Sequence, residues 1–126
     1  MERQVSDWRQ NIIRDGVEQT AYIAEKEGIH GHLWFAFRPI LGADAERYAA
    51  QVRNTINSDP QRGYKLVVEI VASHLTNWSE DVPFSKEILL CLKKALLYDM
   101  YYIMRGEKAS DTLEQPKTGD EILGKS

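Results

Sequence analysis

The chain has 126 residues, the length of one domain, and its 43% hydrophobic and 28% charged content is ordinary globular usage that excludes wholesale disorder. With 16 Lys and Arg against 19 Asp and Glu, the net charge is −3, which argues against a dedicated nucleic-acid binder, because such a protein needs surplus cations to displace phosphate counterions. The longest apolar runs, such as Ile88–Leu92, reach five residues, far short of the roughly 20 that span a bilayer. A single cysteine precludes an intramolecular disulfide, and Met1-Glu2-Arg3-Gln4 lacks the apolar core of a signal peptide. These features predict a soluble, cytoplasmic protein.

Residues 1–15 place Val5, Trp8, Ile12 and Ile13 at helical spacing, an N-terminal arm too short to hold a helix without a partner surface. From 16 to 38 the period changes to two. Val17–Ala24 and His32–Arg38 alternate, with Leu33, Phe35 and Phe37 on one face and Trp34 on the other, and the link Glu25–Gly31 carries Gly28 and Gly31. This predicts a β-hairpin. A two-stranded ribbon leaves open edges, which contact with a partner would cover. Pro39 ends the second strand, and a helix follows over about 43–57. Asp59-Pro60 with Gly63 predicts a turn. A second helix is predicted from Tyr64 to Trp78, then a polar loop from Ser79 to Phe84. Ser85 is placed to cap a last helix running to about Arg105, with Gly106 suited to a left-handed C-terminal cap. Glu107–Ser126 holds five acidic and three basic residues and no sustained period, which reads as a flexible tail. The expected fold class is α+β and mostly helical: one domain over 1–106, with the hairpin packed on about three helices, followed by the tail 107–126.

Plotted as one continuous helix, 85–105 has a core side that includes Leu89, Cys91, Leu96, Met100, Tyr102 and Ile103. Leu90, Leu97, Tyr101 and Met104 form a second apolar stripe on the charged side, flanked by Lys93 and Lys94. A helix apolar nearly all round is buried on more than one face, so this stripe, with Trp34, is the predicted partner-binding surface; masking by the chain's own hairpin or arm is the alternative. Asp99 falls within the core-facing arc, and His74 lies on the apolar flank of the preceding helix. A buried carboxylate needs a partner, and a His74–Asp99 pair, or Asp99 with a tyrosine hydroxyl, would supply it. Cys91, mid-helix on the core side without a neighbouring base, is expected to be a buried inert thiol. His30-Gly31-His32 is the sole metal-like local motif and lacks a clustered set of further ligands. No nucleophile elbow, phosphate loop or dinucleotide fingerprint occurs, so neither an enzyme nor a metal or cofactor is expected.

The hairpin ending in His30-Gly31-His32-Leu33-Trp34-Phe35-Ala36-Phe37-Arg38-Pro39, the segment Val82-Pro83-Phe84-Ser85-Lys86-Glu87, the long apolar helix after it, and Gly106 followed by Ser110-Asp111 together resemble the tail assembly chaperones of long-tailed, siphovirus-like bacteriophages. The resemblance covers about residues 16–111 and lies in layout and short phrases. It implies a non-enzymatic assembly factor of the host cytoplasm that binds and solubilises the tape measure protein and helps recruit tail tube protein, with homo-oligomerisation expected and neither nucleic acid nor membrane as partner. The alternative is a structural ring or adaptor subunit of a phage particle. In that reading the last helix is a permanent interface and the hairpin adds strands to a neighbour.

Overall fold

Alternating apolar side chains give two strands at the N-terminal end of the computed structural model, which describes residues 16–111. The expected arm at 1–15 and the tail beyond 111 lie outside the described residues. β1 (Gln19–Ile23) and β2 (Leu33–Phe37) are antiparallel, with Tyr22 opposite Trp34 and Thr20 opposite Ala36. Ala21, Ile23, Leu33, Phe35 and Phe37 are buried on the helix-facing side. The link closes through backbone bonds between Lys26 and His30, with Gly28 at a φ of +79° where a Cβ would be strained.

The predicted helix over Tyr64–Trp78 is corrected at both ends. α1 (Gly42–Ser58) and α2 (Pro60–His74) are joined by Asp59 alone. Asp59 is extended, its Oδ1 accepts the Arg62 N–H at 3.2 Å, and Pro60 supplies the first helical residue, which needs no hydrogen-bond donor. Gly63 is therefore not a turn residue. It sits in the first turn of α2, where the backbone of Ile56 approaches so closely that a Cβ at Gly63 would lie 2.9 Å from the Ile56 Cα.

At the other end, α2 stops at His74 and the chain becomes β3 (Leu75–Trp78), antiparallel to β2, so that the sheet order is β1-β2-β3 and β2 is central. Phe35 pairs with Trp78 and Phe37 with Leu75, and the register shifts between Ala36 and Phe37. That irregularity lets Leu75 and Trp78, three residues apart, share the core face. The same spacing is what one face of a helix requires, which is why these residues read as helical in sequence.

The single helix expected over Ser85–Arg105 is two. Ser85 caps α3 (Lys86–Leu90) by accepting the Ile88 N–H at 3.2 Å. The chain then turns through Cys91 and Leu92, Lys93 is extended, and α4 (Lys94–Met104) begins. α4 packs on α2 and β1. It ends in the cap anticipated at Gly106: φ is +81°, the Gly106 N–H reaches the Ile103 carbonyl at 3.0 Å, and the Glu107 N–H reaches the Tyr102 carbonyl at 2.9 Å.

Beyond Gly106 the chain stays on the fold, contrary to a tail beginning at Glu107. Ser110 Oγ accepts the Tyr22 N–H and Asp111 Oδ2 accepts the Ala24 N–H, while the Asp111 N–H donates to the Tyr22 carbonyl, each at 2.8 Å. These bonds occupy the outer edge of β1. On β3 the Trp78 N–H is taken by the Asn77 side chain at 2.9 Å. Of the two hairpin edges expected to be open, that of β2 is paired with β3, and that of β1 is bonded at Tyr22 and Ala24 by Ser110–Asp111. Over the described residues the architecture is α+β, a three-stranded antiparallel sheet with four helices. Among the described residues no helix is long and apolar enough to cross a membrane.

Candidate functional site

The break between α3 and α4 leaves a groove of about 640 Å³. Ile56 from the end of α1, Pro60, Gln61, Tyr64 and Lys65 from the start of α2, Leu90 from the end of α3, and Lys94 and Tyr98 from α4 line it. Leu90 is 41% exposed, while Ile56, Tyr64 and Tyr98 are half-buried. The tyrosine rings continue the surface: Tyr64 and Tyr98 have centroids 6.0 Å apart, and Tyr98 stacks on Tyr102 at 6.1 Å. The Lys94 ammonium lies 6.0 Å from the Tyr98 centroid, at the limit of a cation–π contact. Arg105 covers the far end, 5.0 Å from the Tyr101 ring and 5.8 Å from that of Tyr102. Burial pushes the Tyr64 and Tyr98 phenols above their ordinary 10.0, with the neighbouring tyrosines adding to the rise at Tyr98.

Lys65 and Lys94 form no ion pair with a carboxylate among the described residues, and no carboxylate lines the groove. An apolar and aromatic floor between ammonium groups can hold apolar side chains and attract carboxylates beside them. That is the chemistry of helix-in-groove recognition.

The predicted partner surface is partly assembled here. Leu90 and Lys94 line the groove, and Lys93 is exposed immediately before α4. Leu97, Tyr101 and Met104 are instead core residues, at 0%, 2% and 1% exposure. The turn at Cys91–Lys93 divides the stripe that a continuous helix would display and directs α4's share of it inward. Tyr102, expected in the core, is exposed, and so is Cys91. Trp34 lies half-buried on the outer sheet face opposite Tyr22, and is not among the groove residues.

The His74–Asp99 pair does not form. His74 donates its Nδ1 proton to the Arg38 carbonyl at 2.9 Å and packs edge-on against Tyr48. Asp99 lies between the ammonium groups of Lys26 at 3.7 Å and Lys108 at 3.6 Å. The carboxylate does need partners, but they come from the hairpin link, remote in sequence, and from the segment just after α4. His30 is buried with Nδ1 donating to the Gly31 carbonyl at 2.7 Å, whereas His32 is exposed beside the Tyr22 ring.

Sequence reasoning missed Ile56, Tyr64, Lys65 and Tyr98 as site residues. Lys94, Tyr98 and Tyr102 recur every fourth residue and could have been read as one face of a helix. The contribution of α1 and α2 carries no such local signal, since it depends on how tightly Asp59 folds those helices together. Compared with protein-family models, curated proteins and solved structures, the chain matches none.

Proposed function

We propose that the protein is a non-enzymatic tail assembly chaperone of a long-tailed bacteriophage, acting in the host cytoplasm. It holds a helical segment of the tape measure protein in the groove between α2 and α4 and keeps that client soluble while tail tube protein is recruited. The observation that carries the reading is the groove itself: exposed Leu90 and the half-buried Tyr64–Tyr98 pair between Lys65 and Lys94. The layout shared with tail assembly chaperones, described above, supplies the identity of the client. A long apolar helix offers anchors for such a floor, and acidic residues flanking those anchors would orient it through the lysines.

The test is co-expression with the tape measure protein, with the mass of the soluble species followed by light scattering over a concentration series. The wild type is expected to form a complex only with the client, from a free protein that self-associates weakly. Leu90→Asp with Lys94→Glu is expected to keep the thermal midpoint within a few degrees, because both residues are exposed. It should weaken the complex at least ~10-fold, the equivalent of about 1.4 kcal/mol and less than full burial of one leucine provides. A wild-type complex in this variant would sink the groove assignment. A ring of fixed stoichiometry that ignores the client would point to a structural subunit instead.

A further inference from the structure

We infer that the groove has an occupant within this chain: the acidic–apolar segment Asp120-Glu121-Ile122-Leu123 docks there when no client is bound. The inference rests on the groove reading above and adds the chemistry of the recognised motif, two carboxylates followed by two large aliphatic side chains.

Charge and chain geometry support this occupant. Lys65 and Lys94 present positive charge at the groove, with no carboxylate among its described lining residues. Of the two stretches outside the described residues, 1–15 is balanced in charge, Arg3, Arg9 and Arg14 against Glu2, Asp7 and Asp15, with an arginine directly after Trp8 and after Ile12-Ile13. It offers no pair of adjacent carboxylates to the two lysines. Residues 112–126 contain Ile122 and Leu123 directly after Asp120 and Glu121, the complementary arrangement. In the docked state Ile122 and Leu123 cover Leu90 and the Tyr64–Tyr98 floor, while the two carboxylates approach the lysines.

The tether starts close by. α4 packs both on β1, whose end holds Asp111, and on α2, which lines the groove. α4 has 11 residues and is ~16 Å long. The nine steps from Asp111 to Asp120 extend to ~30 Å. A tether of that length holds the segment at an effective concentration of order mM, so a contact too weak to form between separate molecules is populated within one.

The single cysteine makes the test direct, because Cys91 is exposed and adjoins Leu90. A nitroxide is attached to Cys91 of the full chain, and the amide and methyl signals of Ile122 and Leu123 are recorded with and without reduction of the label. More than half of their intensity is expected to be lost to the nitroxide, and recovered in Asp120→Lys with Glu121→Lys. Dilution of labelled chain into unlabelled, isotopically enriched chain separates the two routes of contact. Broadening that survives only between molecules overturns docking within the chain and makes a second copy the occupant. Absence of broadening, or broadening indifferent to the charge reversal, also overturns it. Without any label, the same charge reversal should shift the Leu90 and Tyr98 resonances, and unmoved resonances count against docking.

The reversed chain should also bind tape measure protein about twofold or more tighter, since a competitor at ~mM effective concentration has been removed. Client binding without nitroxide broadening would leave the chaperone reading standing and end this inference. Broadening without client binding would do the opposite.

Discussion

The Tyr101 hydroxyl is buried without a well-formed hydrogen bond among the described residues, and the Arg105 guanidinium over its ring acts on it mainly by charge and only weakly as a donor. Burial dominates the upward shift of its phenol, against a smaller opposing effect of Arg105. A buried hydroxyl without a partner costs on the order of 1–3 kcal/mol, while a phenylalanine ring retains the packing and the cation contact. Tyr101→Phe is therefore expected to leave stability unchanged or raise it by about 1 kcal/mol, as read from the urea midpoint. A clear loss would mean that the hydroxyl has a bonding partner. Asp99 shows the opposite situation on the same helix. Its carboxylate is 14% exposed and is met by two lysines, and such partly exposed ion pairs contribute modestly and weaken with salt.

At the scale of elements, the α1–α2 hairpin depends on Gly63 as much as on the Asp59 cap. A side chain there meets the Ile56 Cγ1 and, at 2.9 Å, its Cα. A clash with backbone cannot be relieved by rotating a side chain, and overpacking of this kind costs ~1–3 kcal/mol. Gly63→Ala is expected to lower the unfolding free energy by about 2 kcal/mol. Adding Ile56→Ala should restore only part of this, because the conflict with the Ile56 backbone remains. Full rescue by the second substitution would show that the helices pack through side chains alone. The groove uses the same surroundings, since Ile56 and Tyr64 both line it, so loosening this hairpin should disturb the groove as well as the fold.

Across the whole molecule, remote segments are tied to one another at the sheet edges and around α4. Lys26 in the hairpin link and Lys108 after α4 converge on Asp99, and Ser110–Asp111 bond the edge of β1 at Tyr22 and Ala24. The tyrosines are spread over the same framework. Tyr22, Tyr64, Tyr98 and Tyr101 all have phenols raised above 10.0, with burial as the largest cause, and Asp111 and Glu25 add to the effect at Tyr22. Because the folded state holds these protons more tightly than the unfolded chain, the stability they contribute is fully present below pH 10. It is lost as pH rises through the raised values. Urea midpoints measured from about pH 9 to about pH 11, alongside an ultraviolet titration of phenolate, should fall in step with ionisation. Flat midpoints across that range would contradict the linkage.

The hairpin, α1, the Ser85 cap and the Gly106 stop were legible in the residues because each rests on a local rule: period two, an apolar stripe, a side-chain acceptor, or a backbone angle that glycine adopts freely. Leu90 and Lys94 were legible as surface groups for the same reason. What the residues could not decide alone was where local rules compete. Leu75 and Trp78 satisfy a helix face and, through a register shift, a strand face, and the open edge of β2 selects the strand. Nothing at Cys91-Leu92-Lys93 breaks a helix by propensity; the chain turns there because Leu89 and the Leu97–Tyr101–Met104 stripe both enter the core. That one turn buries most of the expected partner surface and leaves Leu90 beside tyrosines from α2 and α4. Composition and periodicity determined an α+β domain, and competition between elements for the same apolar side chains decided which faces remained exposed.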